Sequence, residues 1–226
     1  MSLKPTKKTD LGKQWLKDRS LRSTRIQIHP EYHLIVTEGT KTEPKYFNAI
    51  KEEINKSFKD RITLEVIGGG DNTINLFTKA KGIAEKSPNG FKHVWIVYDT
   101  DEFTKENINK TKENCINNST EETEYHAIWS NQCIELWFLL HFSYFQSDID
   151  RKGYFPKLTV YLNSINAGDY AKDREDIYDI LKPYLPQAIR YAEKLAKINQ
   201  GKTPSDSAPG TEVYRIIKKL KPYLDL

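Results

Sequence analysis

The sequence predicts an α/β protein: a mostly parallel sheet with flanking helices, extended by a helical C-terminal region. Three observations predict it. Two short apolar runs rich in β-branched residues, His33-Leu-Ile-Val-Thr-Glu38-Gly39 and His93-Val-Trp-Ile-Val-Tyr-Asp99-Thr-Asp101, stop abruptly at carboxylates, as buried parallel strands do on leaving a core. Strand patterns then alternate with helical ones, which implies βαβ crossovers. From about residue 155 onward only helical patterns remain.

Along the chain, residues 1–30 carry eight Lys/Arg against two acids and no clean apolar period, which predicts a basic N-terminal arm. The first strand spans about 33–38. Thr40-Lys-Thr-Glu43 reads as a capping box, and the helix behind it, about 43–56, places Tyr46, Phe47, Ile50 and Ile54 on one face. A second strand, Ile62 to Ile67, runs into Gly68-Gly-Gly70-Asp71, which matches no phosphate-binding loop and reads as a flexible turn. Helices over 73–86 and 104–117 frame the strand at 93–99. A fourth strand covers about 124–129, and Ser130 reads as the cap of an apolar helix from Gln132 to Phe142. Helices over 157–165, 173–182, 184–199 and 211–223 complete a domain plan of arm 1–30, α/β core 31–150 and helical region 151–226 packed on the core.

Composition bounds the function. Hydrophobic content of 38% with 29% charged residues is that of an ordinary globular protein, and no stretch reaches the roughly 20 apolar residues of a membrane span. Two cysteines are too few for a disulfide scaffold, and the polar N-terminus lacks a secretory core, so a cytoplasmic location is expected. The net charge of +4 is unevenly spread: +6 over residues 1–30, −7 over 31–181 and +5 over 182–226. An acidic middle between basic ends fits a metal site served by phosphate-binding arms, or simply solubilising tails. A salt series separates these. If the arm lies on a polymer, deleting residues 1–30 lowers the slope of log K against log salt by several contacts at about 0.9 per phosphate; a solubilising tail leaves the slope unchanged.

In open α/β sheets, ligands sit beyond the carboxyl ends of the strands. Glu38, Asp99 and Asp101 delivered there would repel one another unless a cation joined them. Hard oxygen donors suit Mg²⁺ or Mn²⁺, with substrate phosphate in the remaining shell. Lys41 is placed to meet a flanking phosphate, while Lys45 reads as a solvated helix lysine. On a helix opening at Ser130, Asn131 and Glu135 would share a face near its anion-favouring N-terminus. Glu135 could there orient a metal-bound water, or simply cap the helix. Cys133 reads as core and His141 as a packing histidine.

Three blocks carry a resemblance: Val36-Thr-Glu38-Gly-Thr-Lys-Thr-Glu43-Pro-Lys-Tyr46-Phe47, then Asp99-Thr-Asp101, then Ser130-Asn131-Gln-Cys133-Ile-Glu135-Leu-Trp137-Phe-Leu-Leu-His141-Phe142, with echoes at Tyr170-Ala-Lys172 and Pro209-Gly-Thr211-Glu-Val213. In order and spacing they resemble the RloB/AbiLii-like proteins, themselves similar to Toprim domains. The resemblance implies a Toprim-like fold, Glu38 as acid/base and metal neighbour, Asp99 and Asp101 holding Mg²⁺, and an association with restriction loci and phage defence. Lys172 joins Lys41 and Asn131 as an expected substrate contact. Two departures stand out: Gln132 and Ile134 replace the usual Pro and Phe, and Thr100 replaces an Arg between the aspartates. The expected activity is Mg²⁺-dependent phosphodiester hydrolysis on DNA or RNA, with defence-operon proteins as further partners. Nucleotide transfer or hydrolysis at the same metal site, and nucleotide or partner binding without catalysis, are the alternatives.

Overall fold

Apolar runs alternate their side chains between two faces, and in a computed structural model of the chain each face is covered by helices. The structure describes residues 31–66, 72–101 and 103–225. The basic arm and the Gly68–Asp71 turn lie outside them. Four strands, β1 (His33–Thr37), β2 (Ile62–Val66), β3 (His93–Asp99) and β4 (Glu124–Ser130), form one sheet in the order β2-β1-β3-β4. All three pairings are parallel, with His33 opposite Ile62 and His93, and His93 opposite Glu124.

On one face, Leu34 and Val36 of β1 and Val94, Ile96 and Tyr98 of β3 pack on α2 (Thr73–Lys86) and α3 (Lys105–Asn118) through Leu76, Phe77, Ala80 and Ile108. The alternate residues Ile35, Trp95, Val97 and Ile128 face the other core. There α1 (Thr42–Ser57) contributes the expected stripe of Tyr46, Phe47, Ile50 and Ile54. The same core includes α4 (Glu135–Leu140), α5 (Tyr154–Ser164), α6 (Ile177–Leu181), α7 (Leu185–Ile198) and α8 (Val213–Leu220). Each buried Leu or Ile stabilises the fold by about 1.5–3 kcal/mol, and the two-sided burial explains why β1 and β3 read as continuous apolar runs.

Two local readings need correction. Thr40 does not cap α1: the N-cap is Lys41, which makes no side-chain capping hydrogen bond, and Glu43 is buried. Ser130 does not cap a helix either. It is the last residue of β4, its hydroxyl bonds that of Thr211 at 2.8 Å, and the two residues form an antiparallel bridge. Glu212 N–H donates to Trp129 O and Asn131 N–H to Gly210 O, so the 210–212 segment extends β4 and delays the helix to Glu135. Gly210 permits that approach, since a Cβ there would lie 2.5 Å from Ser207 O and 2.9 Å from the Trp129 ring. Among the described residues, no helix is long and apolar enough to cross a membrane.

Candidate metal and phosphate site

Parallel pairing of β1 with β3 decides which side chains meet. Thr37 is opposite Val97, and Glu38 N–H donates to Val97 O at 3.1 Å, so Glu38 leaves β1 beside the residues that lead to Asp99. Strand β3 runs two residues beyond β1, and Thr100 N–H donates to the carbonyls of Ser130 and Gln132, each at 3.1 Å. The turn that carries Asp99 and Asp101 is thereby fixed on the end of β4.

These carboxylates line one cavity of about 240 Å³. Glu38, Asp99, Asp101, Lys41, Glu135 and Lys172 are all on its wall. Asn131 is not: it lies in the β4–α4 connection rather than on Glu135's helical face, and its side-chain oxygen is buried without a hydrogen-bond partner. Lys45 stays outside, paired with Glu175 at 2.7 Å.

Two further side chains reach the cavity that local sequence patterns assigned elsewhere or not at all. Glu43 enters from the first turn of α1, where its carboxylate crosses Gly39 so closely that a Cβ at residue 39 would lie 2.6 Å from Glu43 Cδ. Any side chain at 39 would displace it. Arg151 arrives from the segment before α5 and forms an ion pair with Asp101. No local pattern marks Arg151, because only the tertiary fold brings it there. Glu135 is itself positioned: the Tyr170 hydroxyl donates to its Oε1 at 2.7 Å.

Charge is left unbalanced. Among the described residues, five carboxylates (Glu38, Glu43, Asp99, Asp101 and Glu135) face three cations (Lys41, Arg151 and Lys172) across the wall. Burial, followed by the charges of Glu135 and Glu38, pushes Glu43 up to about 7. Burial also pushes Asp99 well above the usual carboxylate range, helped by Glu43, Glu135, Asp101 and Glu38. Asp99 Oδ1 and Asp101 Oδ1 are buried with no hydrogen-bond partner. A buried oxygen without a partner costs about 1–3 kcal/mol, more when charged, so these two atoms want a donor or a cation. Oxygen-only donors on a net acidic wall are the chemistry of a hard divalent ion.

A parallel α/β sheet that ends in a buried acidic cleft defines the class of protein. The chain matches the RloB-like protein family over residues 33–220, and it belongs to that family. No curated protein and no solved structure matches the chain. Neither cysteine offers a nucleophile here: Cys115 and Cys133 are buried, and burial pushes both thiols up.

Proposed function

We propose that this protein is a cytoplasmic Mg²⁺- or Mn²⁺-dependent phosphodiesterase of the Toprim kind, a nuclease acting on DNA or RNA in a phage-defence or restriction-associated system. The observation that carries the reading is the pair of partnerless buried oxygens on Asp99 and Asp101 inside an acidic cavity at the strand ends. The donor set fits a hard dication, which Asp99, Asp101 and Glu38 would hold. Such an ion, when bound, polarises a phosphoryl oxygen and offsets charge in the transition state.

The chain's own residues supply the rest. Glu38 takes or returns the proton of the attacking water or leaving oxygen, a role for a carboxylate within reach of the reacting atoms. Glu135, aligned by the Tyr170 hydroxyl, holds a water in the cleft. Lys41 and Lys172 meet flanking phosphates from the rim. Arg151 brings to Asp101 the guanidinium that Thr100 does not carry. The cavity volume favours a polymer over an enclosed nucleotide: about 240 Å³ is below the roughly 300–1,000 Å³ of pockets that engulf small ligands, yet room for one phosphate of a chain passing over the rim.

The test incubates the purified full chain with Mg²⁺ or Mn²⁺ and labelled DNA and RNA pools. Metal-dependent shortening of a pool by the wild type, absent in Asp99→Asn, is the expected result. Turnover of free nucleotides with both pools intact would replace the nuclease by a nucleotide-transferring or -hydrolysing enzyme. Binding that survives chelation, with no turnover, would leave a recognition module for a nucleotide or a partner protein of the defence operon.

A further inference from the structure

At the opposite end of the sheet, where β3 and β4 begin, three donor atoms converge that the acidic cleft does not use. His93 opens β3, Glu124 opens β4 directly across from it, and His126 follows two residues on, on the same side as Glu124. His93 Nδ1 lies 3.0 Å from His126 Nε2 and 3.4 Å from Glu124 Oε2, while His126 Nε2 lies 3.7 Å from that same oxygen. A tetrahedral ion with ligands about 2.0–2.2 Å away has donor–donor edges of roughly 3.3–3.5 Å. The observed edges of 3.0, 3.4 and 3.7 Å bracket that range.

Hydrogen bonding alone leaves the cluster poorly satisfied. His93 Nδ1 and His126 Nε2 hydrogen-bond each other at 3.0 Å, which uses the single N–H a neutral imidazole offers there and leaves Glu124 Oε2 without a short donor from either ring. His93 Nε2 is buried without a hydrogen-bond partner in a ring that is 3% exposed, and Glu31 Oε2 stands 3.6 Å from it. If Nδ1 is taken by a metal, the ring proton belongs on Nε2, whose neighbouring carboxylate is Glu31; metal-bound histidines commonly have such an outer acceptor. Glu124 is likewise held, its Oε1 3.0 Å from Lys92 Nζ, which leaves Oε2 for the site. The His126 ring stacks on Trp95 with centroids 4.1 Å apart, fixing its plane. Nearby cations are already matched, Lys219 by Glu31 and Arg215 by Glu212.

We propose that His93 Nδ1, His126 Nε2 and Glu124 Oε2 form a binding site for a Zn²⁺-like divalent transition metal, with water in the fourth position on the solvent side of Glu124. Two imidazoles and one carboxylate suit Zn²⁺ or Co²⁺ over Mg²⁺. The site would clamp the starts of the two strands whose far ends carry Asp99 and Ser130.

The experiment titrates Co²⁺, then Zn²⁺, into the tag-free full chain and reads the visible d–d bands of tetrahedral Co²⁺, their loss on Zn²⁺ displacement, and the melting temperature. Expected are tetrahedral bands, a higher melting temperature with Zn²⁺, and both effects retained in Asp99→Asn. His126→Ala should weaken binding by more than about 100-fold, since removing only an outer-shell partner costs about 10–100-fold. Glu124→Gln, at the partly exposed rim, is the variant that folds even if the histidine variants do not, and it too should lose the tetrahedral bands. Absence of tetrahedral Co²⁺ bands, or tetrahedral bands unchanged in Glu124→Gln, would overturn the site. Neither result bears on the acidic cleft, which Asp99→Asn tests separately.

Discussion

Asp99→Asn should raise the melting temperature of the metal-free protein while removing metal-dependent cleavage. In the wild type, Asp99 is buried beside four other carboxylates, and Oδ1 has no hydrogen-bond partner. The neutral amide removes a buried charge at constant shape. We expect a gain of about 1–2 kcal/mol, or roughly 2–8 °C for a chain of this size. The sign with pH follows from the direction of the shift. A carboxylate whose folded-state affinity for a proton is raised costs nothing below its ordinary titration range, where it is protonated folded or unfolded. Its cost grows as pH rises through and beyond that range toward the raised folded value. The advantage of Asn should therefore be small near pH 4 and largest above pH 7. Added Mg²⁺ should close the gap from the wild-type side alone, since an ion at about 100 times its dissociation constant contributes about 2.7 kcal/mol. Cleavage should fall by at least ~10²-fold. A variant that melts lower than the wild type at pH 8 without metal would make Asp99 a structural residue and remove the basis of the proposed function. Asp101 should behave differently, because its loss also breaks the ion pair with Arg151.

What the sequence makes legible is whatever is encoded locally or by strand order. The helix at 73–86 was readable from its apolar period, and it forms over Thr73–Lys86 with Asn72 capping it. The meeting of Glu38, Asp99 and Asp101 was readable because parallel neighbours end on the same side. Elements whose partners are remote were misread. Ser130 precedes an apolar run and looks like a cap, but a residue 81 positions away, Thr211, holds it in the sheet. The apolar helix consequently shrinks to Glu135–Leu140, and Asn131 loses the face it would have shared with Glu135. Glu43 fitted a capping box by spacing alone; the missing clue was Gly39, whose bare backbone lets the carboxylate lie across it. Arg151 belongs to a segment with no pattern beyond its own, and tertiary structure alone puts it on the cavity wall.

Trp137→Ala should be the most damaging single change in the scaffold. Trp137 is fully buried in the middle of α4, two residues past Glu135, and its Nε1–H donates to the Tyr46 hydroxyl of α1 at 3.0 Å. Tyr46 in turn meets Phe47, Phe138 and Tyr178 ring to ring, so one indole ties α4 to α1 and, through Tyr46, to α6. Truncation removes that contact area and opens a cavity, at a cost of about 3–5 kcal/mol, and leaves the Tyr46 oxygen without its donor for about 1 kcal/mol more. Against a total stability of about 5–15 kcal/mol, that is a large share, and a fall of roughly 10–20 °C in melting temperature is expected. Trp137→Phe keeps most of the volume and loses only the donor and part of the ring, so it should fall by less than half as much. The contrast with Asp99→Asn is one of sign: the scaffold variant melts lower with or without Mg²⁺, whereas the site variant melts higher without it. Because α4 also carries Glu135, the folded fraction of Trp137→Phe should retain metal binding if the carboxylates are held mainly by the strand ends. Loss of metal-induced stabilisation in Trp137→Phe would instead show that the packing of α4 sets the geometry of the cleft.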